Sequence, residues 1–202
     1  MMKIITLALL TLLFAASPVL AATAEPEKYT FDPAHTQVMF SVSHLGMSHS
    51  HGRFAKFDGY FTFDVKNPDA SVIDVTIDAT SIDMGSKEWE DHIRGEDFLN
   101  TEKFPKMTFK STAVKRDGAM NGTVTGDLTL LGVTKPVTLD VTYNKSGRHP
   151  YMKNFMAGFS ISGKINRADF GMAKHIPDVG DEVKIMIEVE GIRQDFEGMN
   201  AK

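Results

Sequence analysis

Three histidines fall within eight residues, in the run His44-Leu45-Gly46-Met47-Ser48-His49-Ser50-His51. His49 and His51, at i and i+2, share one face of an extended segment, and with His44 or another third ligand they could hold Zn or Cu. No carboxylate or Cys stands beside them, and a solvated turn accounts for the same residues. A second cluster, Asp91, His92, Arg94, Glu96 and Asp97, joins acids, an imidazole and a cation. Charge on a surface helix is ordinarily just a solvated face. The parts of familiar catalytic devices are missing: there is no Gly-x-Ser-x-Gly elbow, no phosphate-cradling Gly loop and no His-Glu-x-x-His. With no Cys, thiol catalysis, disulfides and iron-sulfur clusters are excluded. The 22 Lys+Arg against 26 Asp+Glu, a net charge of -4 without a basic run, leave no electrostatic footprint for nucleic acid. No catalytic residue is assigned, and the chain is expected not to be an enzyme.

The first 24 residues read as an address label, so any site must be carried by the remainder of the chain. Met1 to Lys3 supply a positive start, Ile4 to Ala16 are apolar apart from two Thr, and Ser17-Pro18 breaks the run before Ala21, Ala22 and Ala24. That is a signal peptide, cleaved after Ala21 or Ala24. Its apolar stretch is shorter than the ~20 residues a spanning helix needs. No Cys follows it to take a lipid anchor. The mature chain, residues 25–202, is therefore expected to be one exported, soluble, periplasmic domain that is not a lipoprotein.

That domain reads as strands. Val38, Phe40, Val42 and His44 alternate with Ser41 and Ser43, and the same period of two returns at Phe57 to Val65, Ile73 to Ala79, Met107 to Ala113, Val124 to Leu130, Val137 to Tyr143, Phe155 to Ile165 and Val183 to Val189. Turn signals such as Asn67-Pro68-Asp69 and Arg116-Asp117-Gly118 separate many of the eight. Short links imply an antiparallel meander with one apolar face per strand, and closure into a barrel buries that face and removes the edges. A two-sheet sandwich satisfies the same pattern. Ser81 to Phe104 breaks the rhythm with a helix-forming run, Lys87 to Arg94, that serves either as a lid or as a plug. Ala168 to Asp181 reads as a second, shorter cap. Of the 14 Phe and 12 Met, only Phe14, Met1 and Met2 fall in the leader. On inward faces the remainder either pack a core or line a tunnel for a pliable apolar ligand.

Four blocks in order, YTFDPAHTQVMFSVSHLGMSHSHGRFAKFDGYFTFD, DHIRGEDFLNTEKFPKMTFKS, GDLTLLGVTKPVTLDV and AGFSISGKINRADFGM, resemble the YceI-like family of exported bacterial proteins over about Tyr29 to Glu190. The resemblance implies an all-β fold: an extended, lipocalin-like, eight-stranded antiparallel barrel with a helical lid insertion and a short helical cap. It also implies a long apolar pocket for a polyisoprenoid or isoprenoid quinone, no catalytic cofactor, and a cytochrome b561-like membrane partner. With inward parity, this assigns Phe40, Val42, Phe61, Phe63, Val75, Ile77, Phe109, Leu128, Leu130, Phe159 and Ile161 to the lipid chain, with Phe98, Phe104, Phe170 and Met172 as caps. His44, His92, Arg94 and Arg167 are the head-group candidates, since a carbonyl or phosphate needs a donor or cation. Metal binding through His44, His49 and His51, or a purely structural stress protein with a filled core, are the alternatives.

Overall fold

Phe57, Phe61 and Phe63 fall on one side of a pleated strand and Asp58, Tyr60 and Thr62 on the other, and a chain built from such repeats has one face to hide. The computed structural model describes residues 26–194, so the leader lies outside the described residues. Eleven strands form: β1 Glu27–Phe31, β2 Gln37–His44, β3 Ser48–Phe54, β4 Phe57–Phe63, β5 Ile73–Asp78, β6 Ile82–Asp83, β7 Lys106–Asp117, β8 Asn121–Leu130, β9 Val133–Arg148, β10 Phe155–Asn166 and β11 Val179–Arg193. Three pairs of them are single staves with a break. β1 and β2 both lie along β11, β3 and β4 pair with β2 and β1 respectively, and β5 and β6 pair with β4 and β3. The result is eight antiparallel staves in chain order, closed where β1 and β2 meet β11. Closure pairs every long strand on both sides among the described residues, leaving only the two-residue β6 paired on one side, and the sandwich alternative falls away.

Two segments differ from the sequence reading. The segment around His49 and His51 is strand β3 rather than a turn, and β1 adds a stretch of stave before β2. β3 carries little apolar alternation, since Ser48, Ser50 and Gly52 stand where it faces inward, and β1 is only five residues long, with Tyr29 and Phe31 as its inward pair, too short a run for periodicity to mark as a strand.

One end of the barrel is capped. Helix α1, Lys87–Arg94, lies there with the loop that follows it, a 3₁₀ turn at Arg167–Phe170 and the segment to residue 178. Arg94 pins the helix: Nε donates to the Thr80 carbonyl at 3.0 Å, Nη2 to that of Ile82 at 3.1 Å, and Nη1 to Asp91 at 3.0 Å. Beneath the cap Ala79, Ile82, Phe98, Leu99, Met107, Phe170 and Met172 form a buried core, while Tyr29, Phe61, Phe63, Ala157 and Val189 form a second one toward the other end.

Candidate binding cavity

Between those two cores the barrel is hollow. A cavity of about 350 Å³ runs along its axis, within the range of roughly 300–1,000 Å³ of small-ligand pockets. Its walls are almost wholly apolar, built from inward residues of every stave. Phe40, Val75, Phe109, Phe159 and Ile185 point inward and yet are only half-buried, because the space they face is open.

Glycines keep it open. A Cβ at Gly126 would stand 2.5 Å from Cζ of Phe109, and one at Gly52 would stand 2.6 Å from Cζ of Phe40. A Cβ at Gly191 would collide with Phe61 in the same way. The rings of Phe109 and Phe40 therefore lie over an inward glycine of the adjacent stave, and that of Phe61 reaches past β1 to Gly191 on β11, instead of projecting into the lumen. A barrel this rich in Phe is hollow because its rings lie along the wall. A Cβ at Gly126 would also stand 2.6 Å from the Lys110 carbonyl oxygen, so Gly126→Val is expected to displace the β7–β8 ladder locally as well as tip Phe109 into the lumen, costing about 3 kcal/mol of stability and weakening apolar-ligand binding roughly tenfold, an effect of about 1.4 kcal/mol. Chemical denaturation and ligand titration of the variant check both numbers.

The two ends of the cavity differ. At the capped end Ile93, Phe98, Leu99, Leu130 and Met172 close it, and Phe98 is only 5% exposed. At the other end Val65, 55% exposed, and Met120, 43% exposed, still line it, so that end opens to solvent. Pro68, Lys115 and Arg116 stand on the same rim.

Of the residues assigned to the lipid chain and caps, Phe40, Val42, Phe61, Phe63, Val75, Ile77, Phe98, Phe109, Leu128, Leu130, Phe159, Ile161 and Met172 line the cavity. Phe104 and Phe170 do not. Phe104 covers Gly132, where a Cβ would stand 2.9 Å from its Cε1, and Phe170 is buried in the core beneath the cap.

The head-group candidates separate more sharply. His44 lies past the cavity, its ring 6.2 Å from that of Trp89. His92 is outside, against Phe98 at 5.1 Å and His175 at 6.5 Å. Arg94 is committed to the backbone of the Thr80–Ile82 turn and to the acids of its own helix. Arg167 alone reaches the lining. It is 2% exposed, and four of its N–H groups donate to carbonyls: Nε to Gly180 at 2.8 Å, Nη1 to Met172 at 2.7 Å, and Nη2 to Lys174 at 2.9 Å and Val179 at 2.8 Å. Burial pushes its pKa below the ordinary guanidinium value, with Asp181 acting the other way. His49 and His51 face outward opposite Ser43 and Ser41, and among the described residues no group of three potential metal ligands includes either.

Sequence reasoning missed the rim. Strict alternation puts Met107, Phe109, Ser111 and Ala113 on one face, but the β7–β8 register shifts between Ser111 and Ala113. That bulge reverses parity, so Val114 and Arg116 reach the cavity while Ala113 is exposed. No residue type in Ser111-Thr112-Ala113 announces it.

A model of the YceI-like domain matches residues 29–191. A protein called YceI from Escherichia coli O17:K52:H18 is 44% identical over 184 residues, 91% of this chain and 94% of that one. Among solved structures, BcnA of Burkholderia cenocepacia superposes with a TM-score of 0.72 at 29% identity, covering 79% of this chain and 98% of its own. A polyisoprenoid binding domain from Saccharophagus degradans, implicated in plant cell wall breakdown, shares the fold at a TM-score of 0.59 and 15% identity, over 84% of this chain and 99% of that domain. An axial apolar cavity in an eight-stave closed barrel, together with identity at this level over nearly the whole chain, places the protein in the YceI-like family.

Proposed function

We propose that the protein is a periplasmic carrier that holds a long apolar lipid, a polyisoprenoid or isoprenoid quinone, in the barrel. The observation that carries this reading is the cavity itself: a long apolar space closed at one end and open at the other accepts a chain tail-first. Removing such a tail from water yields about 0.8 kcal/mol per CH₂, enough to make aqueous transit between membranes feasible. The lining contains no carboxylate or imidazole among the described residues, and its cationic groups sit at the two ends, Arg167 under the cap and Lys115 with Arg116 at the rim. This favours holding a ligand over transforming it. Arg167 is largely committed to carbonyls, so the polar head is better served at the rim, where Lys115 and Arg116 supply cations and Asn121 a further donor. The name borne by the Saccharophagus degradans domain supports the ligand class. Export through the leader supports the compartment, and a cytochrome b561-like membrane protein is the exchange partner that the family resemblance offers.

Protein purified from its native cell envelope and extracted with organic solvent should release close to one equivalent of a polyisoprenoid or quinone by mass spectrometry. Lipid-free protein that also takes up neither class when it is supplied would refute the proposal.

A further inference from the structure

The break between β1 and β2 gathers a set of ligating groups that the cavity does not use. We propose that Asp32, His35 and Glu190 form a binding site for a borderline divalent transition metal of the Zn²⁺ class on the outer wall of the barrel. The segment Asp32-Pro33-Ala34-His35-Thr36 bulges out of the stave, and both its ends are tied to one residue of β11. The Asp32 amide donates to the Glu190 carbonyl at 2.8 Å. Thr36 Oγ1 donates to the same carbonyl and accepts from the Glu190 amide, each at 3.1 Å. Residue 190 is thereby clamped by its backbone. Residues 189 and 191 on either side are buried inward, so the Glu190 side chain leaves on the outer face, toward the bulge.

There it meets a prepared pair. Asp32 Oδ1 accepts from the Ala34 amide at 2.9 Å, and Oδ2 accepts from His35 Nδ1 at 2.8 Å. One ligand atom from each of Asp32, His35 and Glu190 lies within 4.8 Å of the other two. Asp32 is buried, whereas the His35 side chain is 56% exposed, so the cluster is anchored on one side and open to water on the other. Two carboxylates are thus brought together beside one imidazole, and among the described residues no Lys or Arg forms an ion pair with either. Like charges held this close favour a counter-cation.

The donor set selects the class of ion. One imidazole nitrogen and two carboxylate oxygens suit Zn²⁺, with bonds of about 2.0–2.2 Å and a fourth position for water. Mg²⁺ and Ca²⁺ take six or more oxygens and are poorly served. Ligands around a tetrahedral ion stand roughly 3.3 Å apart at those bond lengths, and with all three ligand atoms already within 4.8 Å of one another the side chains need only small rotations to close on the ion. On binding through Nδ1 the imidazole carries its proton on Nε2, and the hydrogen bond to Asp32 gives way to metal ligation by both.

Calorimetric titration of the untagged chain with ZnCl₂, with MgCl₂ as the control, should show one equivalent bound in the micromolar range and no Mg²⁺ binding. Glu190→Gln retains every backbone bond of the clamp and should weaken Zn²⁺ binding at least tenfold, as should His35→Gln, with unfolding curves showing that both remain folded. His49→Ala combined with His51→Ala should leave the affinity unchanged. No Zn²⁺ binding by the parent, undiminished binding by the folded Glu190→Gln variant, or loss of binding with His49 and His51 overturns the assignment. None of these outcomes bears on lipid retention.

Discussion

Ile161→Trp is expected to lower affinity for a polyisoprenoid by a factor on the order of 10² to 10³ while the barrel remains folded. Ile161 lies on β10 opposite Val141 and Ile187, facing the middle of the cavity and only half-buried. In a close-packed core an added ring forces its neighbours off their rotamers at about 1–3 kcal/mol. Here the indole enters open space and gains apolar contact, which offsets much of that cost. The ligand bears the loss: displacing about four or five CH₂ groups at about 0.8 kcal/mol each removes roughly 3–4 kcal/mol of binding, and every 1.4 kcal/mol is a factor of ten. Titration with a polyisoprenoid, together with mass-spectrometric analysis of what the variant retains from the native envelope, checks this. A variant that binds like the parent would mean that the chain is not held in this cavity.

Arg167→Leu is expected to be the most destabilising single change, at roughly 3–5 kcal/mol, comparable to removing one partner from a buried ionic network. Leucine is of similar size and apolar, but it leaves the carbonyls of Met172, Lys174, Val179 and Gly180 without their donor. Unpaired buried polar groups cost about 1–3 kcal/mol each, and those nearer the surface recover water. The same four bonds fasten the segment that carries Met172 over the closed end, so lipid retention should fall as well. Arg167→Lys should be intermediate, because an ammonium has three donors and no planar fork. The urea midpoint is the readout. A loss below about 1 kcal/mol would mean that the cap is held by its apolar contacts alone.

Much of the cavity was legible because strand parity is local. Once Phe61 is known to face inward, Phe63 must do so too, and the same rule along β10 carries Phe159 to Ile161. Parity ends where regular structure does. Phe98 and Phe104 sit on one long insertion, and only the packing of its loop decides that Phe98 faces the lumen while Phe104 covers Gly132. His44 continues the parity of Phe40 and Val42, yet the cavity stops before it, because the cap and α1 occupy that end. Arg94 and Arg167 are equivalent as sequence; one staples a helix to a turn on the surface and the other is buried among carbonyls.

By itself the sequence determined the staves and their count, since period two, short turns and one apolar face per strand are properties of neighbours in the chain, whereas closure over a sandwich was settled only by the pairing of β1 and β2 with β11. The tertiary structure alone decided that the barrel is hollow and where it opens. Whether a Phe ring fills the lumen or lies against the wall depends on a glycine of another stave, as Gly126 does for Phe109. Whether Arg116 faces in or out depends on a bulge that only pairing with β8 reveals. In the same way, Asp32 and His35 become a cluster only when β11 brings Glu190 across from the far end of the chain.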